Sequence, residues 1–474
     1  MDEKNVKVMG KRIEHARETI EGHYERYHRI DQYARGRQAS PFRPVKSNPE
    51  FVDLAKRSIT NLLPLIIDAP VNTMAVNGYK RSTSKGKGLT PEWQAWMRNR
   101  MDERQSHIHR AALEAGQAFV TVLPGESGEP VVAGHHAITF YAAYRNPALD
   151  EFPMYALILD ESPKEWNYTI PLTGTYVDHV AVYDVEFTHR TSKPKLSNPR
   201  PHGLGMCPVV RFAPQLDLRG KAHGLVEPIM PLQDKLNQIQ LNQLIAQHYS
   251  AFMIRYATGL APVPLLDENG NEQYTEDGQL KVIPPVIDPA TMLISADPNT
   301  KFGSLEGGST KDMQDSAEQC IRHMCMVTQT PPHYLLGQMA NLSADALAAA
   351  ESAFIRKVSE IQSNFGEAWA NVLRLCALVM KDRKGFEDKD SIVTWADKSN
   401  RSLGQATDAF LKMVQGGIPV EIAMRKLPGF SETDLEEALA LMEEAKQDER
   451  YDVDKAMSAA KAVDDAERKQ PAGV

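Results

Sequence analysis

The stretch LVEPIMPLQDKLNQIQLNQLIAQHYSAFMIRY, Leu225–Tyr256, decides how the rest of the chain is read. Ile229, Leu232, Leu236, Ile239 and Leu244 fall at helical spacing. Amides fill the other faces: Gln233, Asn237, Gln238, Gln240, Asn242, Gln243 and Gln247. From Pro228 to Ile254 only Asp234 and Lys235 carry formal charge. An exposed helix of a monomer usually alternates charge along its outer face. A long helix rich in amides and nearly free of charge is expected to be covered by other protein.

The sequence on either side changes period. Toward the N-terminus, Val6–Arg35 carries Ile13, Ala16, Ile20, Tyr24 and Tyr27 three and four apart, a helical pattern. Phe51–Ala75 reads as a second helical region, apolar on most sides and therefore buried, and Pro91 opens the next helix over Trp93–Gly116. Short segments rich in β-branched and aromatic residues follow: Ala118–Leu123, Ile138–Tyr144, Met154–Asp160, Tyr176–Phe187 and Pro208–Phe212. Beyond Tyr256 lies a small proline-bounded insert whose DENGNEQYTEDG reads as a hairpin end. Ser309–Gln329 is helical again and stops at Thr330–Pro332. The segment HYLLGQMANLSAD then leads, with Ser343 as N-cap, into a long helix over Ala344–Asp382. A strand, Ser391–Trp395, and an acidic helical tail complete the order, and no internal repeat is evident. The fold class expected is α+β, predominantly α-helical.

Composition excludes several functions. Hydrophobic residues at 42% and charged residues at 24% are ordinary for a globular chain of 474 residues. No apolar run approaches the ~18 residues of a membrane span, so no membrane partner is expected. The charged N-terminus does not read as a secretory signal, which points to a cytoplasm. A net charge of −8 argues against a surface that coats nucleic acid non-specifically. Cys207, Cys320, Cys325 and Cys376 are too sparse for a disulfide framework and read as buried thiols.

Motifs for chemistry fail on spacing. Gly86–Thr90 offers a Gly-Lys pair without the phosphate-loop pattern, and Gly203–Gly205 lacks a third glycine. Cys320, His323 and Cys325 point to different faces of a helix, as do His107 and His109. His135 and His136 are adjacent in a β region. The loop from Asp267 has Glu272 and Gly278 where a calcium loop needs Gly and Glu. No catalytic residue, metal site or cofactor is expected, and the chain does not read as an enzyme.

The order of parts resembles the portal proteins of tailed bacteriophages, the siphovirus-type head-to-tail connectors of actinobacterial phages. The likeness is carried by His223–Leu244, Ile294–Gly308, Thr328–Leu347, Val393–Phe430 and Tyr33–Gln38, and covers about residues 20 to 450. The resemblance implies a ring, usually of twelve copies, at one capsid vertex of the virion, assembled in the host cytoplasm. It implies that double-stranded DNA would be packaged and ejected through the channel of that ring. It further implies a wing over residues 1–222, a first stem helix over 223–256, a clip over 257–308 and a second stem helix over 309–329. A tunnel loop over 330–345, a long wing helix and strand over 346–400, and a crown over 401–474 follow. Gln338, Met339, Asn341 and Leu342 would face DNA; an ordinary helix–helix connection that never meets DNA is the other reading. Leu232, Leu236, Ile239 and Gln243 would make the stem contacts between copies. Leu236→Asp is therefore expected to abolish rings and leave the monomer folded. Asp267, Asn269 and Tyr274 would dock partners at the clip. Those partners would be the large terminase motor and a head-completion (neck adaptor) protein, with the major capsid and scaffolding proteins elsewhere. Two other readings stand beside it: a helical scaffold for capsid assembly without a channel, and an enzyme with an unrecognised site. A scaffold would not need the β-rich body, and an enzyme would need a convergent polar cluster that the sequence does not offer.

Overall fold

A computed structural model describes residues 3–43, 49–82, 89–166, 170–189, 192–251, 255–258, 263–267, 270–275, 278–283, 301–304, 310–337, 344–396, 403–424, 427 and 432–447. The fold is mixed α and β. The helices before the β body are α1 (Glu3–Ala34), α2 (Pro49–Arg57), α3 (Leu63–Thr73), α4 (Pro91–Arg98) and α5 (Met101–Ala115), with β1 (Val76–Lys80) among them. The body holds β2 (Ala118–Pro124), β3 (Pro130–His136), β4 (Phe140–Ala143), β5 (Tyr155–Leu159), β6 (Leu172–Val177), β7 (Ala181–Phe187), β8 (Lys195–Pro201) and β9 (Val209–Phe212). Next come α6 (Met230–Ala251), β10 (Arg255–Thr258), β11 (Val263–Pro264), β12 (Val282–Ile283), β13 (Lys301–Ser304) and α7 (Thr310–Thr328). The chain continues through α8 (Pro332–Leu336), α9 (Ala344–Val379), α10 (Arg383–Glu387), β14 (Ile392–Trp395), α11 (Leu403–Gln415), α12 (Val420–Met424) and α13 (Glu432–Gln447).

These elements form two compact units, each assembled from separated stretches. The first holds Met1–Arg37, Leu62–Ile229 and Cys325–Val474; the second holds Gln38–Asn61 and Met230–Met324. In the first unit a five-stranded antiparallel sheet, β4-β5-β6-β7-β8, packs under α1. Ile13, Ala16 and Ile20 of α1 meet Leu157, Tyr176 and Phe187 of the sheet in one buried cluster. The three-stranded sheet β3-β2-β9 instead receives α5 and the C-terminal half of α9. There Trp369 lies edge-on to Trp96 and Phe212, with ring centroids 4.8 and 4.6 Å apart. The strand expected over Ser391–Trp395 is β14, which pairs with β1 from the other end of the unit.

Several expected elements are divided where local chemistry breaks them. The region Phe51–Ala75 holds two helices, α2 and α3, with non-helical backbone over residues 58–62 between them; Pro64 sits in the first turn of α3, where its missing N–H has no helical partner to lose. Trp93–Gly116 is also two, since Arg100 adopts a left-handed conformation at φ 52°. Tyr176–Phe187 is a hairpin of β6 and β7 whose turn is closed by Asp178, accepting from the Val180 and Ala181 amides. The edge strand β8 carries two prolines, which only an edge tolerates.

Candidate functional site

The charge-poor helix lies in the second unit. Gln233, Leu236, Asn237 and Leu241 form one stripe of α6, each at most 2% exposed. Two amides of that stripe are committed inside the chain. Gln233 Nε2 donates to Thr60 O at 2.7 Å and to Asn237 Oδ1 at 2.9 Å. Asn237 Oδ1 also accepts from Thr60 N–H at 3.2 Å. Thr60 sits in irregular backbone beyond α2, where peptide groups have no helical partner. Both of its peptide groups are therefore satisfied by α6 side chains.

This placement corrects one expectation. Leu236 is a core residue of its own chain, not a side chain offered to another copy, so Leu236→Asp would damage the monomer itself. Helical periodicity placed Leu236 and Leu232 near one another without fixing which side looks inward. Leu232, Ile239 and Gln243 are half-buried. From Gln238 to Ala246 every described residue except Leu241 and Asn242 is half-buried, so α6 has no cleanly solvated face there. On α7, Ala317, Cys320 and Met324 are buried, and Cys320 Sγ lies 3.4 Å from Leu232 O on α6. Burial pushes the Cys320 thiol up.

The described residues of the insert between Val263 and Ile283 form a three-way junction of two hairpin arms and the β11–β12 pair, rather than one hairpin end. Leu266–Gln273 and Tyr274–Lys281 are an eight-residue repeat that residue identity hides. In the first arm Asp267 N–H donates to Asn271 O and Asn271 N–H to Asp267 Oδ1, both at 2.8 Å. The second arm repeats this: Thr275 N–H donates to Gln279 O at 2.8 Å and Gln279 N–H to Thr275 Oγ1 at 3.1 Å. Gly270 and Gly278 take φ 83° and 77° at the two tips, a conformation costly for other residues. At the centre, Leu265, Gln273 and Lys281 exchange three backbone hydrogen bonds in a closed cycle of 2.7–2.9 Å. Tyr274 is exposed and donates to Glu272; Asp267 is half-buried and engaged in its turn. Asn269 lies outside the described residues.

The proposed tunnel segment is approached from both ends in the first unit. Gln338, Met339, Asn341 and Leu342 themselves lie outside the described residues, as does Ser343. Just before them, α8 ends at Gly337, φ 65°. Tyr334 Oη donates to Glu351 Oε1 of α9 at 3.3 Å, and His333 Nε2 lies 3.5 Å from the same oxygen. Further along α9, Lys357 Nζ donates to Thr328 O at 2.6 Å, capping the C-terminal end of α7. Burial lowers the Lys357 ammonium to about 8. It borders a cleft of about 400 Å³ shared with His223, Pro228, Val327 and Ile361. Lys357 and Glu351 escaped sequence reading because their partners are 29 and 17 residues away on other helices.

Two of the histidines weighed as metal ligands are occupied otherwise. His109 accepts from Trp369 Nε1 at 2.9 Å and stacks on Phe365. His135 is within 2.9 Å of Thr121 Oγ1, and burial lowers it to about 4. Among the described residues no three His, Cys, Asp or Glu side chains are grouped to hold a metal.

The profile of the family described as phage portal protein, SPP1 Gp6-like, matches residues 10–451. The chain belongs to this portal protein family. It is 28% identical over 245 residues to the portal protein of Mycobacterium phage D29, covering 50% of this chain and 48% of that one. Against the portal protein of Mycobacterium phage L5 the identity is 27% over 245 residues, with the same shares of each chain. The chain thus spans about half the length of these relatives. Two solved chains are also similar. One is from the neck of an empty gene transfer agent (GTA) particle computed with C6 symmetry, with 13% identity, a TM-score of 0.40, and 82% of this chain and 94% of that chain covered. The other is from the virion of a native GTA particle, with 12% identity, a TM-score of 0.38 and the same coverage.

Proposed function

We propose that this portal-family chain assembles with copies of itself into a ring, of twelve members, at one vertex of a phage capsid. Double-stranded DNA enters and leaves through the central channel. The observation that carries this reading is the family match over residues 10–451, and α6 supports it physically. Its Gln238–Ala246 stretch carries no charge and is half-covered on most sides within one chain. Flanking copies would complete that cover, while amides tolerate both a subunit contact and a wet lumen. A conduit must not hold its cargo, since phosphate neutralisation gives strong binding that would stall passage.

In this reading residues 1–222 are the wing, 223–256 and 309–329, which hold α6 and α7, the stem, and 257–308 the clip. Residues 330–345 are the tunnel loop, 346–400 the long wing helix and strand, and 401–474 the crown. Leu232, Ile239 and Gln243 contact neighbouring copies, and Gln338, Met339, Asn341 and Leu342 touch DNA sterically. The junction carrying Asp267, Asn269 and Tyr274 docks the large terminase motor and later the neck adaptor. Capsid and scaffolding proteins surround the ring during assembly in the host cytoplasm. The chain has no catalytic step of its own; the motor supplies the work. Negative-stain microscopy with a solution mass tests the proposal. Rings with a hole of duplex width, roughly 20 Å or more, are expected. A chain that stays monomeric even with its own capsid and scaffold proteins would overturn it.

A further inference from the structure

Two surface loops of the first unit are built to hold apolar side chains in water. Residues 146–150 close on themselves: Asn146 N–H donates to Asp150 Oδ2 at 2.7 Å, and Ala148 N–H to Asn146 Oδ1 at 3.1 Å. Residues 216–222 form a tight hairpin around Asp217, whose Oδ1 accepts from the Arg219 and Lys221 amides at 2.9 and 2.8 Å. The loops are locked together. A Cβ on Gly220 would lie 2.4 Å from Pro147 Cβ. Arg211, stacked 4.6 Å from the Tyr144 ring centroid, donates to Pro147 O at 2.5 Å and reaches Gly220 O at 3.5 Å.

From this frame Leu218 projects with 99% of its surface exposed and Leu149 with 79%. Asp150 and Asp217 spend carboxylate oxygens on their own turns. Arg145, Arg219 and Lys221 are exposed, and among the described residues no ion pair engages them. A rigid loop loses little conformational freedom on binding. Apolar anchors ringed by charge are the anatomy of an interface centre and its rim.

We propose that the locked loops 145–150 and 216–222 are a docking knob for an acidic surface on a different protein. Leu218 and Leu149 enter an apolar recess of that protein, and Arg145, Arg219 and Lys221 meet carboxylates around it. The charge sets the chemistry of the partner: Arg145, Arg219 and Lys221, which no ion pair engages among the described residues, flank the two apolar side chains and call for carboxylates around the recess. The inference rests on the portal reading only for where the partner is found, among the proteins of the same phage head.

The full chain is co-expressed with its phage's head proteins and treated with a carbodiimide, which joins an amine to a touching carboxylate. The expected product links Lys221 to an Asp or Glu of a head protein, with yield falling as salt rises. A Leu218→Asp, Arg219→Glu, Lys221→Glu variant should form the same rings yet enter heads at least tenfold less often. Leu218→Ser alone, a milder change, should lower entry at least threefold. Links only between copies of this chain, no link through Lys221, or wild-type entry by the Leu218→Ser variant would overturn the proposal. Failure of the unaltered chain to form rings would count against the portal reading instead, and the crosslink would still decide the knob.

Discussion

Leu236 and Lys357 show how single side chains divide between stability and assembly. Leu236 is 0% exposed. We expect Leu236→Ala to cost about 2–5 kcal/mol of chain stability through lost burial and a cavity. Urea unfolding of the monomer would reveal it before any assembly assay. Gln233→Ala strands the Thr60 carbonyl and should cost about 1–3 kcal/mol by the same measurement. Lys357 carries a pH signature. Its folded value, about 8, lies below the 10.5 of an unburied lysine. Between those values the unfolded chain binds more protons, so stability rises with pH across the window. The penalty of burying the ammonium is fully present below about pH 8 and relieved toward 10.5. Subtracting the urea midpoints of Lys357→Met from wild type at pH 7, 8.5 and 10 should expose that rise. A flat difference would show that burial does not lower Lys357 below an unburied lysine.

The helices and the insert behave differently as elements. On α6 the inward stripe is Gln233, Leu236, Asn237 and Leu241, leaving Leu232, Ile239 and Gln243 only half-covered. We expect Ile239→Glu to change monomer stability by roughly 1 kcal/mol or less, since the site is not fully desolvated. The same change should prevent ring formation in mass measurements. Rings from Ile239→Glu would remove α6 from the contact between copies. Among the described residues of the insert, backbone bonds repeated at eight residues shape its two arms. Gly270→Val and Gly278→Val would each force a β-branched residue to positive φ, at about 1–2 kcal/mol. Amide exchange at Leu265, Gln273 and Lys281 should quicken in both variants, because one closed cycle joins them.

For the whole molecule, assembly and passage are separable. Replacing residues 338–343 with a Gly-Ser stretch should leave ring mass unchanged, because Gly337 and the Glu351 contacts anchor what flanks it. Packaging or retention of DNA should fall, read as the fraction of full heads. Full heads at the wild-type level would return that segment to an ordinary connection between α8 and α9. The number of copies is not written in periodicity, because ring closure depends on the angle between neighbouring copies.

Much of this organisation was legible from residue spacing. The buried positions of α1 follow Ile13, Ala16, Ile20, Tyr24 and Tyr27 directly, since a helix confronting one sheet repeats its apolar side every three or four residues. Proline 91 marked a helix start, and Thr90 caps it as local chemistry dictates. The order of elements, a local property of the chain, carried the family resemblance. The eight-residue repeat stayed hidden because its two copies share hydrogen bonds more than residue identities. Tertiary structure alone decided the rest. Spacing tells which α6 residues share a face but not which face turns inward, so it leaves open whether Leu236 meets a neighbour; the fold packs it inside its own chain. Gln233 and Asn237 answer backbone at Thr60, some 170 residues earlier, and a pairing at that distance leaves no trace in any local window.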